Sequence, residues 1–113
     1  MSDKEDEFAE AANGIAGLET AVSVLLDRLV RPGLIDLPTL VTRLSAGPAR
    51  LFNLPGGSLA PSAPADITIL DLEKPWTVEP ASFCSRSQNT PFAGWTGTGA
   101  PWMTIVGGVP VIP

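Results

Sequence analysis

Residues 54–71 read LPGGSLAPSAPADITILD, and the change of character within this stretch decides the fold class. Proline and glycine interrupt regular elements, so residues 54–65, with three prolines and two glycines, are predicted to form a turn-rich linker. The ITILD run at 67–71 alternates and is rich in β-branched residues, which is typical of a strand. The stretch therefore separates a helical half from a strand half and predicts an α+β chain.

The region before the linker begins with an amphipathic pattern. Apolar residues recur at spacings of three and four between residues 18 and 30, which predicts a helix with a broad buried face. The proline and glycine at 32–33 are expected to end it. Its charged residues Asp27, Arg28 and Arg31 are expected on the side opposite the buried face.

Two further short helices are predicted before the linker. Asp36 is a good N-cap for the first of them, with Pro38 inside the first turn. Its apolar stripe consists of Leu37, Leu40, Val41 and Leu44. Residues 45–52 (SAGPARLF) predict a third helix of one to two turns. The residues of the third helix expected to pack inward are Ala49, Leu51 and Phe52.

The region after residue 71 is predicted to contain short strands and turns. Residues 75–78 are consistent with a second strand, whereas residues 81–101 show no period and are expected to be mostly loop. TIV at 104–106 and VPVI at 109–112 predict a terminal hairpin, because the two glycines between them supply the positive φ of a tight turn. Pro110 limits the last strand to a sheet edge.

Neither half is expected to be self-sufficient. Three short helices leave apolar faces that need a partner surface, and three or four short strands make a poor sheet alone. The pattern therefore indicates a piece of a larger structure.

Charge and composition exclude several classes of function. The 113 residues are 44% hydrophobic and 17% charged, which indicates a packed chain rather than a disordered one. A net charge of -5 argues against nucleic acid or an anionic membrane surface as partner. No signal segment or apolar span is visible, and the one cysteine, Cys84, cannot form an internal disulfide, so a cytoplasmic protein is expected. The absence of histidine removes the simplest routes to metal binding and general acid–base catalysis.

Five motifs occur along the chain in a characteristic order. They are NGIAGLETA at 13–21, LSAGPARLF at 44–52, ADITILD at 65–71, SRSQNTPFAG at 85–94 and TIVGG at 104–108. Together they resemble the C-terminal third of dihydroorotases, metal-dependent cyclic-amide hydrolases related to allantoinases and hydantoinases. The Asn-Thr-Pro-Phe run favours the dihydroorotase type. The chain departs from the family pattern at Gly47, where Asn is usual, at Ser62, where Gly is usual, and at Arg86, where Lys is usual.

The resemblance implies the end of a TIM-type (β/α)8 barrel followed by part of the composite β-sandwich domain of amidohydrolases. Residues 1–55 would be the C-terminal helices of the barrel. Residues 56–113 would be the C-terminal strands of the small β-domain, whose other strands come from the N-terminus of the enzyme. The acidic run at the start of this sequence would follow directly on the family's last metal-binding segment.

The resemblance also implies a substrate-binding role for Asn13 and Gly14, the dipeptide whose backbone contacts the substrate ring in the family. A glycine suits that role because backbone groups beside it can approach a small planar ligand closely. The alternative is a plain turn before a helix. No catalytic residue and no metal ligand is expected in this chain, because the family's His and Asp ligands would lie upstream of Met1. Zinc is implied for the intact enzyme only.

The implied function is that of a dihydroorotase, which reversibly cyclises N-carbamoyl-L-aspartate to dihydroorotate in pyrimidine biosynthesis by metal-assisted hydrolysis. This chain is expected to be inactive alone and to act with the rest of the dihydroorotase barrel, where the small-molecule substrate binds. One alternative is a non-catalytic, dihydroorotase-like scaffold subunit for aspartate carbamoyltransferase. Another is a stand-alone binding module.

Other polar and aromatic residues are expected to have structural roles. Glu19 is interpreted as an acid at a helix N-terminus. Asn89, Thr90 and Asp66 are interpreted as side chains that hydrogen-bond local backbone. Cys84 has no histidine to activate it as a nucleophile. The tryptophans expected to pack within the small β-domain are Trp76, Trp95 and Trp102.

Overall fold

The computed structural model describes residues 14–111. The acidic segment 1–12, the predicted substrate-binding residue Asn13 and the predicted strand end at Ile112 lie outside the described residues. Within the described part the chain is α+β, as predicted, with helices first and a sheet after them. The helices are α1 (Ala21–Leu25), α2 (Leu37–Val41) and α3 (Gly47–Leu51), and the strands are β1 (Ile67–Thr77), β2 (Thr96–Val106) and β3 (Val109–Val111).

The first helical run, residues 21–30, begins later than predicted and widens halfway along. α1 continues directly as the π-helical segment Leu26–Val30, in which backbone hydrogen bonds span five residues instead of four. The run ends where predicted, because Gly33 adopts a φ of 76° that an L-residue rarely reaches. The N–H of Leu34 then donates to the Leu29 carbonyl over 2.9 Å and satisfies the helix end.

The two helices predicted between residues 36 and 52 form one continuous run, so the prediction of separate helices was wrong. α2 passes through the π-helical segment Thr42–Ala46 directly into α3. Pro48 has no N–H to donate to the helix, and in a regular α-helix its ring would clash with the carbonyl four residues earlier. The wider π-helical turn before the proline avoids this clash and tolerates the missing hydrogen bond. A Cβ on Gly47 would lie 2.6 Å from the Thr42 carbonyl oxygen, so the absence of a side chain permits this turn.

Local capping defines both ends of this second run. Asp36 Oδ1 accepts a hydrogen bond from the Thr39 N–H over 2.8 Å, which confirms the predicted N-cap. Hydrogen bonds from Thr39, the side chain first and the backbone second, hold the pKa of Asp36 below its ordinary value. At the other end Asn53 has a φ of 52°, and the Leu54 N–H donates to the Ala49 carbonyl over 2.8 Å. This is the pattern of a Schellman cap.

The strands form one antiparallel sheet in the order β1-β2-β3. The predicted strands at 67–71 and 75–78 are one strand, β1, which ends at Thr77 and is interrupted by a register shift between Asp71 and Pro75. The shift absorbs the extra residues of β1 against β2, as a β-bulge does.

The start of β2 corrects the prediction of a loop through residue 101. Thr96 to Pro101 (TGTGAP) carries no strand signal of its own, but Gly97 pairs with Trp76 and Ala100 with Asp71. A Cβ on Gly97 would collide with the Trp76 ring, so glycine is required for the strand to pass here. Pairing with a distant strand, rather than local propensity, orders this segment.

The predicted terminal hairpin is confirmed. β2 and β3 pair on either side of Gly107 and Gly108, which have φ values of 56° and 84°. Pro110 lies on β3, an edge strand of the described sheet, as predicted. Asp66 Oδ1 accepts a hydrogen bond from the Gly107 N–H over 2.7 Å, so this carboxylate ties the entry of β1 to the hairpin turn.

Charged residues of the first helical run contact the sheet, although they were predicted on the side away from the buried face. Asp27 Oδ1 accepts a hydrogen bond from the Thr98 N–H over 2.9 Å, and the Asp27 side chain is only 14% exposed. The Arg31 guanidinium donates to the Leu72 carbonyl over 2.9 Å. Leu72 lies in the gap of the register between Asp71 and Pro75, where β1 has no paired residue on β2, and the Arg31 side chain satisfies its carbonyl.

The buried core of the described residues is small. Its hydrophobic members are Leu26, Leu40, Ala49, Val78 and Ala100. The predicted inward positions Leu51 and Phe52 are 77% and 69% exposed, so that prediction was wrong. Ala49, the remaining predicted inward position of this helix, is buried as predicted, because the linker crosses it closely: a Cβ on Gly57 would lie 2.7 Å from its methyl group. Of the predicted α2 stripe, Val41 and Leu44 are also exposed.

Among residues 14–111, no helix combines the length and the apolar character that crossing a membrane requires.

Candidate functional site

Gly14, the member of the predicted substrate-binding dipeptide that the structure describes, has an open and unusual backbone. Its φ is 65°, in the left-handed region that favours glycine. Apart from its chain neighbours, no heavy atom of the described residues lies within 4 Å of a Cβ placed on Gly14. Within residues 14–111 the conformation, and not crowding, therefore requires glycine here.

Asn89 holds the segment that contains Gly14. Its side-chain Nδ2 donates to the Gly14 carbonyl over 2.9 Å, and its own backbone carbonyl accepts from the Ala16 N–H over 2.6 Å. The two bonds hold the peptide groups on both sides of Ile15. Asn89 was predicted to bond its own turn; the structure corrects this, because its side chain reaches a residue 75 positions away.

Glu19 binds the start of the loop that contains Asn89. Its carboxylate accepts from the Cys84 N–H over 2.9 Å and from the Ser85 N–H over 3.0 Å. The Ser85 hydroxyl, followed by these two amides, holds the pKa of Glu19 below its ordinary value. Glu19 was interpreted as an acid serving its own helix; instead it binds amides of a distant loop, and the cap position of α1 is Thr20.

Internal hydrogen bonds hold the loop between these anchors. Ser87 Oγ accepts from the Asn89 N–H over 3.3 Å, and Thr90 Oγ1 accepts from the Phe92 N–H over 3.4 Å. The second bond confirms the prediction that Thr90 bonds the backbone of its own turn. We call residues 84–92 the clasp loop. Local contacts and four hydrogen bonds to residues 14–19 hold this loop in place.

A cleft of about 190 Å³ lies next to the site, and Trp76 borders it. The other lining residues include Glu19, Thr20, Ser23 and Phe83. The indole N–H of Trp76 is buried and has no acceptor among the described residues. Trp95 meets Phe92 edge-on with ring centroids 5.1 Å apart, as predicted for a packing residue, whereas Trp102 is 56% exposed.

The described residues do not provide a metal site. Between residues 14 and 111, no group of three or more His, Cys, Asp or Glu side chains is placed to hold a metal ion. Glu19 is committed to backbone amides and Asp27 to the Thr98 amide. Cys84 is exposed, and its thiol forms no disulfide in the structure. The side chains in this part of the chain do not form a donor set that fits zinc.

Asn89 and Gly14 both belong to motifs that carry the family resemblance, at 85–94 and at 13–21. Motif order along a chain does not show which motifs touch. The hydrogen bonds between them bring the two motifs together at one place.

Comparison with known proteins identifies the family. Residues 8–111 match the Amidohydrolase family, so the chain belongs to that family. Two curated relatives that the chain resembles are dihydroorotases. The Dihydroorotase of Syntrophus aciditrophicus is 50% identical over 108 residues, which cover 96% of this chain and 25% of that protein. The Dihydroorotase of Geobacter metallireducens is 44% identical over 108 residues, with the same coverage of 96% and 25%.

A solved structure shows the same fold. The L-hydantoinase (dihydropyrimidinase) of Arthrobacter aurescens superposes with a TM-score of 0.87 at 36% identity, over 93% of this chain and 24% of that one. The predicted dihydroorotase-like amidohydrolase is thereby confirmed as a family assignment. The chain spans about a quarter of the length of the curated relatives it matches, less than the third expected from the motifs.

Proposed function

We propose that this chain is the C-terminal part of a dihydroorotase, the enzyme that reversibly cyclises N-carbamoyl-L-aspartate to dihydroorotate. In this proposal the backbone at Asn13 and Gly14 contacts the substrate ring. The observation that carries the proposal is the backbone of Gly14, which has a positive φ and no side chain, so that a planar ligand can approach the main chain closely. The clasp loop supplies the fixed support that such a contact requires.

The proposed partner is the rest of an amidohydrolase barrel, with residues 1–55 as its last helices and residues 56–113 as strands of the small β-domain. Large apolar side chains at the helical end support this. Leu18 is 89% exposed, and Leu51 and Phe52 remain open on α3 and its C-terminal end. An exposed apolar set of this kind marks a surface that another structure covers.

The metal and the catalytic groups would come from the partner. Zinc, bound there, would activate water and polarise the amide carbonyl. The residues described in this chain would bind and orient the substrate ring at the edge of that site. The chain alone is therefore expected to have no activity.

A chimera tests the proposal. In the Dihydroorotase of Syntrophus aciditrophicus, the 108-residue stretch that this chain matches is replaced by the corresponding residues of the chain. We call this protein the chimera. Dihydroorotate formation from N-carbamoyl-L-aspartate is measured for the parent, for the chimera and for the parent truncated before the stretch.

The expected result is an active chimera and an inactive truncation. A chimera that folds like the parent but is inactive would contradict the catalytic proposal and favour the scaffold alternative. In that case binding of the chain to aspartate carbamoyltransferase is the next measurement. An active truncation would show that this part of the protein is not needed for the site.

A further inference from the structure

We propose that Asn89 is a positioning residue for the substrate-binding segment, fixing the direction in which the backbone around Gly14 faces the ligand. This inference rests on the proposed function, because it assigns the support of the same site. It concerns a residue that touches Gly14 and not the substrate.

Asn89 makes two hydrogen bonds to this segment, one as a donor and one as an acceptor. Its side chain donates to the Gly14 carbonyl, and its main chain accepts from the Ala16 N–H. A single bond would leave the peptide planes on either side of Ile15 free to rotate. Two bonds, one to a carbonyl and one to an N–H, fix both planes relative to Asn89.

Glycine makes this support necessary. Gly14 has no Cβ to restrict it, and without a Cβ a residue reaches positive and negative φ with similar ease. Among the described residues, apart from its chain neighbours, no atom lies within 4 Å of a Cβ position on Gly14. Within this part of the chain, the hydrogen bond from Asn89 is therefore a specific restraint on the Gly14 carbonyl.

Asn89 is itself held firmly enough to act as a support. Ser87 accepts from its N–H, and Pro91 restricts Thr90 to extended conformations. At the far end of the clasp loop, Glu19 holds the Cys84 and Ser85 amides. The loop is thus tied to the Gly14 segment at both ends.

The chemistry at position 89 is specific to asparagine. Alanine removes the donor, and aspartate replaces the donor with an acceptor that faces the Gly14 carbonyl. Both changes leave the backbone bond to Ala16 possible. Gln88, an exposed amide side chain next to Asn89 in the clasp loop, provides the matched control.

Two measurements test the inference. In the full chain, amide hydrogen exchange of Ala16 is compared among the unaltered protein, Asn89→Ala, Asn89→Asp and Gln88→Ala. We expect faster exchange at Ala16 in both Asn89 variants and no change in Gln88→Ala. Unchanged exchange in the Asn89 variants would overturn the positioning role.

In the chimera, the KM for dihydroorotate is expected to rise about tenfold in Asn89→Ala, roughly the effect of one lost hydrogen bond. The kcat is expected to change by less than about threefold, because the contact acts equally in the bound substrate and the transition state. The control Gln88→Ala should match the unaltered chimera. An unchanged KM, or equal losses of kcat and folded protein with KM constant, would refute the inference. An unaltered chimera without activity would contradict the proposed function instead, and the exchange measurement would still decide the role of Asn89.

Discussion

The carboxylate of Asp27 accepts a hydrogen bond from the backbone N–H of Thr98 over 2.9 Å, and this bond joins the first helical run to β2. The Asp27 side chain also lies 3.3 Å from the Arg28 guanidinium, whose carbon stands 5.1 Å from the centre of the Trp95 ring. A polar seam therefore holds the helix on the sheet together with the buried Leu26. Gly14 and Glu19 directly precede this helix in the chain, so the contacts that hold the helix on the sheet also position the candidate site.

Removing the Asp27 carboxylate should weaken this seam. Asp27→Ala leaves the partly buried Thr98 N–H without an acceptor and is expected to lower the free energy of unfolding by about 1–3 kcal/mol. Asp27→Asn keeps an acceptor oxygen and should lose less. Urea denaturation of the three proteins measures the difference. Equal stability of Asp27→Ala and the unaltered chain would show that the bond contributes nothing.

The seam and the strand beside it mark the limit of what could be predicted from sequence. The hairpin around Gly107-Gly108 and the cap at Asp36 were predictable, because each depends on residues within a few positions of one another. The start of β2 was not, because TGTGAP becomes a strand through its pairing with β1. The docking of Asp27 was not predictable either, since a charge on a helix ordinarily faces water.

The candidate site also has one part that could be predicted from the sequence and one part that could not. Gly14 was predicted through the family resemblance of the motif at 13–21, and its φ of 65° is a local property that suits glycine. Its support by Asn89 depends on a contact across 75 positions, which periodicity and spacing do not encode. The roles assigned to Asn89 and Glu19 were therefore local, and in the structure both are long-range.

Ser62 occupies a backbone position that suits glycine, and Ser62→Gly should stabilise the chain. Its φ is 70°, and the Ala63 N–H donates to the Ala60 carbonyl over 3.0 Å. With Pro61 before it, this is the pattern of a type II turn, which favours glycine at the third position. The substitution should raise the free energy of unfolding by up to about 1 kcal/mol, after the backbone entropy of glycine is subtracted.

Ser62→Ala is the matched control for that prediction, because alanine loses the hydroxyl but keeps the Cβ. It should give no stabilisation. Equal gains from glycine and alanine would mean that the serine hydroxyl, and not the positive φ, is unfavourable at this turn.

Stability should fall in acid, in part through Glu19 and Asp36. Hydrogen bonds lower the pKa of both carboxyls in the folded chain, so the folded state binds fewer protons than the unfolded state between the two values. Their contribution is present above the unfolded pKa and is lost as the pH falls from about 5 through the lowered folded values. Urea midpoints measured across this range give the slope.

The variants Glu19→Gln and Asp36→Asn test the assignment of that slope. Each removes one titrating group, and asparagine remains a good N-cap. Each variant should show a shallower loss of stability in acid than the unaltered chain. A slope that neither substitution changes would place the acid sensitivity in other carboxyls.

Leu51 should respond differently to truncation in the chain and in the chimera. It is 77% exposed here, so Leu51→Ala should change the stability of the chain by less than about 0.5 kcal/mol. If the barrel covers this face, the same change should destabilise the chimera by about 2 kcal/mol or more. Leu26→Ala, at a buried position, should be costly in both. A neutral Leu51→Ala in the chimera would contradict the proposed partner surface.

The most direct test of the substrate role is a crystal structure of the chimera with dihydroorotate bound. The measured quantity is the distance from the polar atoms of the ring to the backbone N–H and carbonyl groups of Asn13 and Gly14. The proposal predicts at least one hydrogen bond in the range of about 2.7–3.2 Å, with Asn89 still donating to Gly14. A ligand bound in the site without any contact to this backbone would contradict it.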